Sequence, residues 1–193
     1  THVDSSAASD VYKRQVTNCP DVFIEEVADH TLAMLLAAHR QIPQQHQLMR
    51  EGRWGEGRPR FFDVPRLWGQ TVGLISFGNV AKAVARRCQP FGLRVICFDP
   101  YVSELEMTKE NVEPETSLMA LIARSDFVSM HAPLNDQTHH MMSTAQFDAM
   151  KPGAIFVNNG RGPTVDEDAL VAALREGKIA GAALDVFEVE PLD

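Results

Sequence analysis

The sequence predicts an α/β fold with a doubly wound parallel sheet, and three observations carry that prediction. Short apolar runs bounded by turn residues alternate with stretches of helical period. The runs are continuously apolar rather than alternating, the pattern of strands covered on both faces. The first of them leads directly into a short glycine-containing loop and then a helix.

A helical pattern opens at Glu25, where Val27, Leu32, Leu35 and Leu36 recur at three- and four-residue steps, and it ends near Arg40 before Pro43. Residues 43–66 are polar and rich in Gly, Arg and Pro around Trp54, which reads as a surface loop or an arm packing on a partner. Thr71–Ile75 is the first strand, and Gly78–Arg87 a helix closed by Pro90. Leu93–Phe98 is the second strand, Ser117–Arg124 a helix and Phe127–Met130 the third strand. Ser143 stands three residues before Gln146, the spacing of a capping box, and that helix runs to Met150. Ala154–Val157 follows as a strand. Asp166 begins a helix that stops at Gly177, and Ile179–Leu184 is the last strand. No internal repeat or low-complexity tract interrupts the series.

At 193 residues, with 45% hydrophobic and 23% charged residues, the chain has room for one domain and a real core. A formal net charge of −8 repels phosphate backbones, so a nucleic-acid partner is not expected. The longest apolar runs, such as Leu32–Ala38, are far too short to span a membrane, and no leader pattern opens the chain, so a cytoplasmic location is expected. Cys19, Cys88 and Cys97 lack the spacing of a disulfide framework or zinc site and read as buried free thiols. His139 and His140 suggest a metal, but adjacent side chains on a helix diverge and no third ligand is apparent, so no metal is expected. Residues 1–15 show no periodicity, and Asp10–Gln15 resemble a translated sequencing-library adapter; they read as a non-native leader or a disordered tail.

The loop Ser76-Phe77-Gly78-Asn79-Val80-Ala81 lies between strand and helix, as a dinucleotide-binding fingerprint does, which makes the fold Rossmann-type. Gly78 lets the backbone approach a pyrophosphate, and the amides of Asn79 and Val80 open a helix whose positive end faces that charge. Ser76 stands where the first glycine is usual. If that turn needs positive φ, serine costs about 1–2 kcal/mol, or else its hydroxyl reaches a phosphate. Asp99 ends the second strand 21 residues beyond Gly78, where a carboxylate accepts hydrogen bonds from ribose hydroxyls and repels a 2′-phosphate. NAD is therefore the expected cofactor, in preference to NADP.

From Val16 to Asp193 the chain resembles the D-isomer-specific 2-hydroxyacid dehydrogenases, among them the phosphoglycerate-dehydrogenase-like and C-terminal-binding-protein-like members. Six motifs in order carry the resemblance: Val27–His30, Ser76–Ala81, Phe98–Tyr101, His131–Leu134, Asn158–Gly162 and Gly181–Pro191. It implies that residues 16–193 are an NAD-binding domain, incomplete at its carboxyl end and lacking the substrate domain. It implies that His131, Ala132, Pro133 and Thr138 border the adenosine and ribose, that Asn159 and Gly160 line the cofactor, and that Asp185 lies close to the nicotinamide. Arg161 would bind the substrate's carboxylate and keto oxygen. Glu190, rather than its competitor Glu188, would support a catalytic histidine that the family carries some two dozen residues further on, beyond this chain. The implied reaction moves hydride between NAD(H) and a small D-2-hydroxy acid or 2-keto acid, in an enzyme expected to be a homodimer. The alternative is an NAD-sensing, corepressor-like interaction protein; a methyltransferase leaves Arg161 and the segment 185–191 unexplained.

Overall fold

A computed structural model describes residues 22–192; the non-native-leader reading and Cys19 fall outside them. Six strands form one sheet in the order β3-β2-β1-β4-β5-β6, every pair parallel. They are β1 (Thr71–Ile75), β2 (Arg94–Phe98), β3 (Glu113–Pro114), β4 (Phe127–Met130), β5 (Ile155–Asn158) and β6 (Gly181–Leu184). The strand order reverses between β1 and β4, so a crevice opens there at the carboxyl ends of the strands, where ligands of open α/β sheets bind.

The helices are α1 (Ile24–His39), α2 (Ile42–Arg50), α3 (Trp54–Asp63), α4 (Asn79–Cys88), α5 (Glu104–Lys109), α6 (Leu118–Arg124), α7 (Thr144–Ala149) and α8 (Glu167–Arg175). Their starts follow local chemistry. Ser103, Ser117 and Asp166 each accept a backbone N–H from the third residue on, and Ser143 N donates to Gln146 Oε1 at 3.2 Å. All five residues of β1 are buried, and successive side chains feed opposite layers. Leu74 joins Leu35, Val84, Cys97 and Phe127 beneath α1 and α4, while Ile75 joins Leu121, Val128, Phe147 and Phe156 beneath α6, α7 and α8. A side chain at Gly73 would strike Ser125 and Leu121, so α6 approaches β1 as closely as only glycine permits. Cys88 and Cys97 are buried and free; burial pushes the Cys88 thiol up to about 12 and drives Cys97 higher, with the Asp99 charge adding to it.

Three features depart from the expectation. Residues 43–66 are not a loop but carry α2 and α3: Pro43 sits in the first turn of α2, where its missing N–H has no partner to lose, and Leu48 is buried. Composition hid these helices because Gly55, Gly57 and Pro59 lie inside α3. The second departure is α5, six residues between Ser103 and Glu110. The third is β3, a two-residue strand at the sheet edge beside β2. At that edge Glu113 pairs with Arg94 at 3.2 Å and with Arg124 at 2.7 Å, and Arg124 also pairs with Glu115.

Candidate functional site

The turn leaving β1 is drawn into the end of β2. Ser76 has φ +77°, so the left-handed conformation is real and serine adopts it without glycine's freedom. Its hydroxyl donates to Asp99 Oδ2 at 3.0 Å, the Phe77 amide donates to the same oxygen at 2.8 Å, and the Tyr101 amide donates to Oδ1 at 2.8 Å. The serine hydroxyl is thus engaged by the carboxylate, not held out for a phosphate. Phe77 is buried beneath the turn. A side chain built at Gly78 meets nothing within 4 Å, and Gly78 puts no side-chain cap on α4, so there is open space beside Gly78 where that helix begins.

Beside Asp99 lies a slot of about 170 Å³ between Ser76, Phe98 and Tyr101 on one side and Ala132, Pro133 and Thr138 on the other. The Tyr101 hydroxyl donates across it to Gln137 Oε1 at 2.6 Å. Thr138 is spent on its own loop: its hydroxyl donates to the Pro133 carbonyl at 2.5 Å and accepts from the Asn135 amide at 2.8 Å.

At the switch point a second cavity, about 480 Å³, is bounded by Val80, His131, Ala132, Asn159, Gly160 and Arg161 among others. His131 lies 2.9 Å from the Ser129 hydroxyl, and burial lowers its pKa to about 4, so the imidazole is neutral at pH 7 and a poor acid. Asn158 holds the loop after β5: its Oδ1 accepts the Gly160 amide at 3.0 Å and its Nδ2 donates to the Arg161 carbonyl at 3.1 Å. Asn159 turns inward instead, donating to the Val27 carbonyl at 3.1 Å and to Thr31 Oγ1 at 2.5 Å, which ties the loop to α1. The exposed Arg161 guanidinium donates to the Gly160 carbonyl at 2.7 Å.

A third cavity of about 320 Å³ brings Arg161 and Gly162 against Phe187, Glu188 and Glu190. A side chain at Gly162 would collide with the Phe187 backbone. Glu190 accepts the Phe187 amide at 2.8 Å, and the Glu188 amide donates to Glu167 Oε1 at 2.6 Å. Asp185, just beyond β6, stands 3.6 Å from His30 Nε2 across an opening of about 400 Å³ that Asn159 also lines. Every expected site residue therefore lies at one edge of the sheet, beyond the ends of β1, β2, β4, β5 and β6. A further cavity of about 750 Å³ lies elsewhere, between α1 and β6, and holds none of them.

Sequence reading missed two groups. His30 of α1 lines the opening beside Asp185, and the buried Thr31 next to it anchors Asn159; for His30 the signal was the Val27–His30 motif. Tyr101 stands in the Phe98–Tyr101 motif, but its pairing with Gln137 across the slot carries no sequence signal, because nothing in composition pairs residues of separate loops. The metal reading changes its grounds. His139 and His140 lie in a turn, not a helix, and Glu188 comes within reach, 2.5 Å from His140 Nε2. The two rings stack with centroids 4.0 Å apart and planes 27° from parallel, and one ligand atom from each of His139, His140 and Glu188 lies within 4.8 Å of the others.

Comparison with known proteins gives the family. The family model for the NAD binding domain of the D-isomer specific 2-hydroxyacid dehydrogenases matches residues 32–193. A glyoxylate reductase of Korarchaeum cryptofilum is 42% identical over 178 residues, covering 92% of this chain and 53% of the relative. A D-3-phosphoglycerate dehydrogenase of Methanocaldococcus jannaschii is 41% identical over 176 residues, covering 91% and 33%. Among solved structures, D-lactate dehydrogenase with NAD+ from Lactobacillus jensenii superposes with a TM-score of 0.85 at 26% identity, covering 97% of this chain and 56% of that one. The chain spans about half the length of most of the relatives it matches. Among the described residues no helix is long and apolar enough to cross a membrane.

Proposed function

This chain belongs to the D-isomer specific 2-hydroxyacid dehydrogenases, as their NAD-binding domain, and from that premise we propose that its protein moves hydride between NAD(H) and a small D-2-hydroxy acid or 2-keto acid. The observation that carries the reading is the Asp99 carboxylate, clamped beside the open end of α4. The residues fit a dinucleotide. Gly78 leaves room for a pyrophosphate against the helix's opening amides. Two carboxylate oxygens offer about four acceptor sites, and three are in use, which leaves Asp99 Oδ1 one for a ribose hydroxyl. The slot beside it, floored by Ala132 and Pro133, suits a flat adenine.

The NAD(H) nicotinamide supplies or accepts the hydride. This chain's residues do the rest. Val80, His131 and Gly160 would wall the passage for the bound dinucleotide, and Asp185 would stand near its nicotinamide end. Arg161 grips the substrate's carboxylate and keto oxygen through paired N–H donors and stabilises the charge that grows on that oxygen. Glu190 faces Arg161 across their shared cavity, placed to hold a proton-donating group beside the substrate. His131 stays neutral and serves as a wall, not as the acid. An exposed arginine at the cleft favours chemistry over the NAD-sensing alternative. Residues 16–193 form the NAD-binding domain, and α2 and α3, with Trp54 and Phe62 exposed, form the arm of a homodimer.

Fluorescence titration with NADH and NADPH tests the binding half of this reading. NADH is expected to bind at least about tenfold tighter, roughly 1.4 kcal/mol, because a 2′-phosphate would face a carboxylate. Equal affinities would sink it. Steady-state turnover of glyoxylate and hydroxypyruvate by the full-length protein tests the chemical half, and a protein that binds NADH yet reduces neither contradicts the proposed reaction.

A further inference from the structure

A residue in the left-handed region without glycine's freedom is held there by something, and at Ser76 that something is visible. The hydroxyl and the following amide both donate to Asp99 Oδ2, at 3.0 and 2.8 Å. That oxygen has two acceptor sites, and both are filled. The Tyr101 amide takes one site of Oδ1, so a single acceptor position is left on the whole carboxylate. The Ser76 amide donates to the Phe98 carbonyl at 2.8 Å, and Cys97 Sγ lies 3.6 Å from the Ser76 carbonyl, so the turn is fastened to β2 along its length.

We propose that Ser76 is a specificity-determining residue, whose hydroxyl locks the Asp99 carboxylate in the pose that accepts a ribose hydroxyl and refuses a 2′-phosphate. The inference rests on the NAD-binding reading above. A glycine at this position would satisfy the backbone but leave one site of Oδ2 empty, and the carboxylate would turn more easily. To admit a 2′-phosphate the carboxylate must move aside and donors must face the newcomer. Here the hydroxyl best placed to donate is already bound to the acid, and the residues after it, Pro100 and Tyr101, bring no cation. Selectivity thus has two parts, the charge of Asp99 and the lock that stops it yielding. The strained backbone at residue 76 belongs to the second.

The test is the ratio of NADPH to NADH dissociation constants for the chain and for its Ser76→Gly and Ser76→Ala variants, with melting temperatures alongside. Glycine removes hydroxyl and strain together; alanine removes the hydroxyl and keeps the strain. Both variants are expected to lower the NADH preference by about fivefold, roughly 1 kcal/mol, the size of one hydrogen bond, with Ser76→Gly melting higher than Ser76→Ala. A preference unchanged in both variants while both still bind NADH overturns the lock and leaves the NAD-binding reading standing. Failure of the unaltered chain to bind either nucleotide overturns both.

Discussion

At one end of the crevice Asp99 accepts three hydrogen bonds from residues 76, 77 and 101, two of them from backbone amides. At the other end the Arg161 guanidinium donates to the carbonyl of its own neighbour, Gly160, and Glu190 accepts from Phe187 three residues back. The first end is tied across two strands of one sheet, so the fold itself supplies its geometry. At the second, Arg161 and Glu190 bond only within their own loops, although Asn159 and Glu188 anchor those loops to α1 and to Glu167 of α8. On the proposed reading, recognition of the nucleotide draws on this domain's own residues, whereas the chemistry draws on a further surface closing on Arg161 and Glu190.

The sharpest break between the two ends would come from the 193-residue chain by itself. It is expected to bind NADH yet leave it unoxidised when glyoxylate or hydroxypyruvate is added, because His131, the imidazole lining the cavity beside Arg161, is neutral. The missing acid alone is worth ~10²–10⁴ in rate. Oxidation that follows enzyme concentration and disappears in Arg161→Ala would place a proton donor within these residues, with His30 beside Asp185 the first to suspect.

His131 sits where the ends meet, and its contribution should depend on pH. Its folded pKa, about 4, lies below the usual 6.5, so the unfolded chain binds the proton first. Stability from this group is therefore full above about pH 6.5 and lost as pH falls toward 4, by on the order of 2–3 kcal/mol. Urea unfolding at pH 7 and pH 4.5 measures it, and His131→Gln should show a correspondingly smaller drop. A variant with the same drop as the parent would refute the assignment.

Gly162→Ala probes the loosely tied end by itself. The added methyl meets the Phe187 backbone, so the segment carrying Glu190 must shift, at a cost of about 1–3 kcal/mol. NADH affinity should stay within about threefold, since Asp99 and Gly78 are untouched. Loss of NADH binding with Gly162→Ala would show that the two ends are not separable. Asp99→Asn is the mildest change. It keeps the side chain's size but removes the charge and puts an NH2 where one of the clamping oxygens accepts, so charge and part of the clamp go together; NADH and NADPH should then bind within about threefold of each other in the same titration.

Much of this was legible in the sequence because it is local. The five longer strands, the Ser143 capping spacing and the step from Gly78 to Asp99 are all set by residues near one another in the chain or by a fixed βαβ length. The β3 strand was not, because two residues containing a proline have no period to detect. Helices α2 and α3 were hidden by Gly and Pro, whose unfavourable propensity is outweighed where tertiary packing buries a residue such as Leu48. At the site, residue types pointed correctly to the sheet edge but not to their orientations. Asn159 faces α1 and Thr138 faces its own loop, and only the folded backbone decides that.

The short β3 strand carries a consequence for the molecule in a crowded solution. A parallel sheet ends in a row of unmatched amides and carbonyls, and a neighbouring chain can extend it strand by strand. On the β3 side the row is only two residues long, and one of them, Pro114, has no N–H to offer. Around it Arg94, Glu113, Glu115 and Arg124 form a charged lattice that a docking strand would have to strip of water. This flank of the sheet therefore offers an incoming strand few backbone partners and a charged surface to cross.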